Sequence, residues 1–301
     1  MAAQVTVGLD GSEESLAATR WAAGEAVLRE VPLRLVYVEE WPNTPEVPLA
    51  YARSLAERAE GVLRDEADRA RKDHPDLEVF VERARGRAAG ELTAAANEAD
   101  LTVLGSRGLG GVLGFVIGSV SLAVVGAARQ PVVLVRAEGG GEGEGTDPGG
   151  GIVVGVDIHH PCEALLAFSF GEAARTGLPL RFLHSWTLPP SYGHAAVMDP
   201  GIGEELGSHR LGGLDDLLEP WQRRYAGVEV TAKAVVGSAA YQLAEAARTA
   251  RLVVVGRRSR KVPVGPHLGH VAHAVIHHSP APVAVVPCRE RTAEDVSGTH
   301  G

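Results

Sequence analysis

Val5-Thr6-Val7-Gly8-Leu9-Asp10, near the start of the chain, returns as Val153-Val154-Gly155-Val156-Asp157, placing Asp10 and Asp157 147 residues apart. Two later pairs keep nearly that spacing. Leu104-Gly105 matches Val255-Gly256, and Pro131-Val132-Val133-Leu134-Val135 matches Pro282-Val283-Ala284-Val285-Val286, both at an offset of 151. Self-similarity over such a distance reports architecture, so one folding unit is written twice, with four extra residues in the second copy. Between the copies lies GGGEGEGTDPGGG, residues 139–151, which has no apolar side chain to bury and reads as a flexible linker. The chain thus divides into a first domain at 1–138, the linker, a second domain at 152–288 and a polar tail at 289–301.

Short Val/Leu-rich runs predict strands at 4–9, 33–38, 77–83, 101–104 and 132–136. Between them, apolar residues recur at three- and four-residue spacing, as Leu55, Ala59, Val62, Leu63 and Ala70 do, predicting helices over 15–29, 51–73, 88–99 and 119–128. The second copy repeats the order, with strands near 152–157, 180–186, 228–236, 252–255 and 283–287. Strands alternating with helices mean parallel pairs joined by right-handed crossovers, hence an α/β class with two doubly wound five-stranded sheets. Composition agrees: aromatic residues are only 5% of 301, so the core is built from Val, Leu and Ala. Glycine, at 37 residues or about 12%, exceeds the usual ~7% and punctuates the loops.

In an open parallel sheet a ligand sits beyond the carboxyl ends of the strands where their order reverses. There the fourth strand runs into Gly105-Ser106-Arg107-Gly108, then nine residues, then Gly118-Ser119-Val120-Ser121, a G-x2-G-x9-G-S pattern entering a helix. Glycines at 105 and 108 let backbone N–H groups approach an oxyanion. Gly118 and Ser119 open a helix whose N–H groups attract phosphate, with the hydroxyls of Ser119 and Ser121 as donors.

This pattern, with Val7-Gly8-Leu9-Asp10-Gly11-Ser12 at the first strand, resembles the ATP-binding type of the universal stress protein family. The likeness covers both halves, as in a tandem member. The resemblance implies two Rossmann-like domains, of the kind seen in adenine nucleotide alpha hydrolases, each a five-stranded parallel sheet of order 3-2-1-4-5. It implies a cytoplasmic setting and ATP, with or without magnesium, as the ligand. By position, Gly8, Leu9 and Asp10 border the ribose or adenine end, and Val38 meets adenine through its backbone. Leu104, Gly105, Arg107, Gly108, Gly118, Ser119, Val120 and Ser121 surround the phosphates. It further implies that the two fifth strands pair across a pseudo-two-fold axis within one chain, leaving room for a homodimer.

The second copy departs from the pattern. Its loop reads Gly256-Arg257-Arg258-Ser259, nine residues, then Gly269-His270, so Ser259 stands for Gly108 and His270 for Ser119. An added Cβ and a bulky imidazole predict reduced ATP binding there, while Asp157 keeps the adenosine end. A protonated His270 beside Arg257, Arg258 or Lys261 would be the compensating route to phosphate. Arg257-Arg258 and Arg260-Lys261 read as a solvated basic loop or an anion site. His267, His270, His273, His277 and His278 place three imidazoles on one helical face, without a carboxylate or cysteine to complete a metal set.

Several classes are disfavoured outright. A net charge of -9 gives no pull towards nucleic acid, and no apolar run is long enough for a membrane span. Cys162 and Cys288 have neither CxxC nor metal-type spacing, which fits a reducing cytosol. No G-x4-G-K-[ST], G-x-S-x-G or H-E-x-x-H is present. The expected function is therefore nucleotide sensing without enzymatic turnover beyond slow hydrolysis. A weak ATPase or adenylate-handling enzyme and a ligand-free scaffold are the alternatives.

Overall fold

A computed structural model describes residues 3–40, 48–106, 117–137, 150–187, 201–258 and 268–288. The first half comprises β1 (Val5–Leu9), α1 (Glu13–Arg29), β2 (Leu33–Glu39), α2 (Leu49–Asp73), β3 (Val79–Arg85), α3 (Ala88–Glu98), β4 (Leu101–Gly105), α4 (Ser119–Ala127) and β5 (Val132–Val135). The second comprises β6 (Ile152–Gly155), α5 (Glu163–Thr176), β7 (Leu180–Trp186), α6 (Gly201–Arg224), β8 (Val230–Val236), α7 (Ala239–Ala246), β9 (Leu252–Arg258), α8 (His270–His278) and β10 (Val283–Cys288). Each half has the strand order expected from the resemblance, and the order of elements follows the sequence pattern. The linker and the polar tail fall outside the described residues, apart from the last two linker positions.

The two sheets are one. The order β3-β2-β1-β4-β5-β10-β9-β6-β7-β8 is continuous, parallel within each half and antiparallel only where β5 meets β10. There Val283 faces Leu134, Ala284 faces Val133 and Val285 faces Val132. Every residue of β5 and the first four of β10 are buried. Left unpaired, either strand would be an apolar edge inviting aggregation, so each covers the other's liability. β9 runs three residues past the predicted end, because Pro287 and Cys288 of β10 continue the ladder opposite Arg257 and Arg258.

Polar ties flank the seam. Arg136 donates from Nη2 to the carbonyls of Ile276 (2.9 Å) and His277 (2.8 Å), at the C-terminal end of α8, where carbonyls lack helical partners. Arg257 is buried and donates to Ala128 O, at the end of α4, at 2.5 Å. The structure thereby corrects the basic-cluster reading for Arg257: it is a buried cross-domain tie, in neither a solvated loop nor an anion site.

On the sheet's other face, α1 meets α5 through Glu25 and Glu172, residues related by the same offset of 147 as Asp10 and Asp157. Arg29 joins them: its Nε pairs with Glu25 and its Nη2 lies 2.6 Å from Glu172 Oε2, which Arg175 also reaches at 2.7 Å. Burial, together with the charge of Glu172 and against the pull of Arg29, pushes the Glu25 carboxyl up to about 7.

A second correction concerns the cysteines. Cys162, just before α5, and Cys288, at the end of β10, are joined in a disulfide across 126 residues of sequence. Nothing in their spacing announces it, because the pairing exists only once the second sheet is assembled.

Because the folded Glu25 binds its proton more tightly than the unfolded value of 4.5 allows, the stabilisation is complete below that value and is lost as pH rises through about 7. Denaturant unfolding should therefore show stability falling between pH 5 and pH 8, by at most about 3 kcal/mol. Glu25→Gln should flatten that slope; a slope retained in full by the variant would place its origin elsewhere.

Candidate functional site

The ends of β1, β2 and β4 and the start of α4 enclose a cavity of about 730 Å³. Ten of the residues singled out from the sequence line it: Gly8, Leu9, Asp10, Val38, Leu104, Gly105, Gly118, Ser119, Val120 and Ser121. The remaining two, Arg107 and Gly108, lie outside the described residues. Ser12, Glu14, Ser15, Ala88, Leu92 and Ile117 also line the cavity and were not singled out. The Asp-Gly-Ser entry to α1 was the available signal for Ser12 and its neighbours; nothing local points to Ala88 or Leu92, which arrive through the packing of α3.

Val38, Leu92, Leu104 and Ile117, which share one face of the sheet, bring aliphatic side chains to the cavity. α4 begins after Gly118, and its first intrahelical bond is Leu122 N–H to Gly118 O at 3.1 Å. The amides of Ser119, Val120 and Ser121 precede that bond and have no carbonyl of the helix to reach, leaving them for an anion. Gly118 has φ −61° and ψ 141°, a conformation open to any residue, so backbone strain does not call for glycine there.

Two local readings are corrected. The Ser121 hydroxyl donates to Gly105 O at 2.9 Å, fastening α4 to the end of β4, so its proton is committed and it is no phosphate donor in this arrangement. Gly105 is needed for packing: a Cβ there would stand 2.7 Å from the Glu14 carbonyl carbon and 2.8 Å from Ser15 N. Both are backbone atoms of the first turn of α1, which therefore rests directly on the strand end.

Asp10 is exposed and orders the loop into α1, one carboxylate oxygen accepting from Ser12 N at 2.9 Å. Ser12 in turn caps the helix by accepting from Ser15 N at 3.2 Å. The Gly11 φ of +80° between them is left-handed, where glycine is favoured. Holding the loop in this way presents Asp10 at the rim of the cavity.

The second domain uses the same frame differently. Gly269 precedes α8 with φ −59° and ψ 151°, nearly the backbone of Gly118, but the first helical residue is the exposed His270. Asp157 is bonded by three neighbours: His159 N–H at 3.0 Å, His160 Nδ1 at 3.2 Å, and the guanidinium of Arg258. Partial burial opposes ionisation of Asp157, but those three partners outweigh it and hold the carboxyl below its usual range. Arg257 is turned to Ala128 and Arg258 to Asp157. Ser259, Arg260, Lys261 and His267 lie outside the described residues. The His273 and His277 rings lie against each other at a tilt of 39°, with centroids 4.4 Å apart, and no group of three or more potential metal ligands occurs among the described residues. No described helix is long and apolar enough to cross a membrane.

Comparison with known proteins places the chain. The model of the universal stress protein family matches twice, over residues 1–136 and 151–287. A universal stress protein of Mycolicibacterium smegmatis is 33% identical over 297 residues, covering 94% of this chain and 96% of its own length. One from Mycobacterium tuberculosis is 31% identical over 296 residues, covering 93% and 96%. Among solved structures, a universal stress protein from Archaeoglobus fulgidus shares the fold with a TM-score of 0.68 at 20% identity, covering 94% of this chain and 98% of that one. The chain belongs to the universal stress protein family and carries its domain in tandem.

Two glycine substitutions separate the packing account of the strand end from a loss of helix or sheet propensity. Gly105→Ala should cost about 1–3 kcal/mol in a denaturant melt, since backbone must move to admit the methyl group. Gly24→Ala, in α1 with nothing within 4 Å of its Cβ position, should instead stabilise by about 0.5–1 kcal/mol. Equal effects of one sign would remove the packing explanation.

Proposed function

We propose that the first domain binds ATP, as the ligand of a nucleotide-sensing stress-response regulator, and that the second domain does not bind it tightly. The observation that carries this is the cavity itself, about 730 Å³ lined both by aliphatic side chains that suit a base and by the residues opening α4, whose amides suit phosphate. That volume lies in the usual range of small-molecule sites, about 300–1,000 Å³. The Asp10 carboxylate at the rim suits the hydroxyls of a ribose. In the second domain His270 stands at the helix position that Ser119 holds in the first.

Among the described lining residues the only ionisable side chains are Asp10 and Glu14, and no cluster of three potential metal ligands occurs there. Two carboxylates without a protein cage suit a magnesium ion carried in by the phosphates better than a resident metal. A base held by an orienting partner, together with a cation for developing charge, is what turnover would need. The described lining favours binding and release over hydrolysis.

The test is calorimetry on Gly118→Val. Valine adopts the Gly118 backbone without strain, so the variant should fold, while its branched side chain enters the phosphate end. ATP affinity is expected to fall at least tenfold, or about 1.4 kcal/mol. Undiminished affinity in the folded variant removes the phosphate assignment. Chromatography of nucleotide released by denaturing the fresh protein supplies the second readout: ATP supports sensing, ADP alone supports turnover, and a chain that neither carries nor takes up nucleotide supports the scaffold alternative.

A further inference from the structure

We propose that Cys162 and Cys288 form a reversible thiol–disulfide site, oxidised by low-molecular-weight disulfides, whose closure pins the loop between β6 and α5 at the second domain's crevice. The place it occupies is informative. In the first domain the start of α1 is seated on the strand end by direct backbone packing against Gly105. At the matching Gly256 the nearest atom to a Cβ position is Cys288 Sγ, at 2.8 Å. Cys162 stands at the offset of 147 from Ser15, the residue whose amide fills that space in the first domain. A covalent bond to sulfur has thus replaced a backbone contact in seating the equivalent helix.

The same two segments are joined a second time. Cys288 is the register partner of Arg258, and Arg258 pairs with Asp157, five residues before Cys162. The loop carrying Asp157, His159 and His160 is therefore held by an ion pair at one end and the disulfide at the other. Beyond Val156, which hydrogen bonds to Leu183 O and to His184 hold to β7, opening the disulfide leaves the loop fastened to the strand ends by the exposed ion pair, and such pairs are worth little.

The two sulfurs differ in what the fold offers them. Cys162 is partly exposed and is the cap residue of α5, whose first-turn amides carry positive potential that favours a thiolate. Cys288 is buried. Cys162 is therefore the attacking thiolate and Cys288 the resolving thiol. In the first step the Cys162 thiolate attacks one sulfur of a disulfide RSSR; a new S–S bond forms, the old one breaks, and RS⁻ leaves. In the second, Cys288 gives up its proton and attacks Cys162 Sγ, expelling the other RS⁻. The two thiolates released take up the two protons the cysteines lost. Two protein thiols are oxidised to one disulfide and one RSSR is reduced to two RSH; excess thiol reverses both steps.

The experiment equilibrates the full chain in mixtures of reduced and oxidised glutathione, quenches with acid, counts thiols by alkylation and mass spectrometry, and follows hydrogen exchange. Expected are two thiols in excess reduced glutathione, none in excess oxidised glutathione, and native circular dichroism in both. Exchange at residues 158–162 should slow at least tenfold on oxidation, with residues 10–15 of the first domain unchanged. Cys288→Ser should trap a mixed disulfide on Cys162, whereas Cys162→Ser should leave Cys288 unmodified in the same mixtures. The proposal is overturned if both thiols persist in oxidised glutathione, if reduced glutathione opens the bond only in denatured protein, or if exchange at 158–162 ignores the redox state. Mixed disulfide on Cys288 in place of Cys162 overturns the assignment of roles.

Discussion

The antiparallel pairing of β5 with β10 is the contact on which the rest of the molecule depends. A 3-2-1-4-5 sheet ends in an apolar fifth strand, and that strand needs a partner. Here the partner is the fifth strand of the other half, at Val132–Leu134 against Val283–Val285. This fixes a pseudo-two-fold relation, and the other ties between the halves follow from it: Arg136 onto the end of α8, Arg257 onto the end of α4, and Arg29 between Glu25 and Glu172. The outer edges of the joined sheet are then β3 and β8, where charged residues such as Glu82, Arg83 and Lys233 stand among exposed Phe80, Val81 and Val236.

The same symmetry makes the difference between the halves informative. The backbone frame is kept: Gly118 and Gly269 adopt nearly one conformation, and Gly105 and Gly256 both adjoin the start of a helix. The residues set on that frame differ. In the first domain Ser119 opens α4 beside a cavity with Asp10 at its rim. In the second, His270 opens α8 and a disulfide stands beside Gly256. A duplicated unit has kept its architecture, which the paired edges demand, while its two ligand crevices have diverged.

How much of this was legible in the sequence depends on the range over which each property is decided. Strand and helix placement rests on local periodicity and on the repeat, and could be read from runs such as Val5–Leu9 and Leu101–Gly105, whereas the order of the strands in each sheet came from the family resemblance. Ten of the lining residues were accessible because they sit at strand ends and at one helix start, positions that topology alone selects. What could not be read is set by atoms distant in sequence. Gly105 was assigned to phosphate approach because the neighbouring Glu14 and Ser15 backbone comes from a helix some 90 residues earlier. Arg257 looks like part of a basic loop until the other domain supplies Ala128 O. The disulfide was missed for the same reason: its two cysteines meet only when α5 docks beside β10.

The central claim is that two domains of one fold carry one competent nucleotide site. Titration calorimetry of ATP into the intact chain addresses it most directly. The account predicts about one tight site per chain, because a single phosphate loop keeps its glycines and its serine at the helix entrance. Two equivalent tight sites would contradict it, showing that a serine at 259 and a histidine at 270 leave the second site competent.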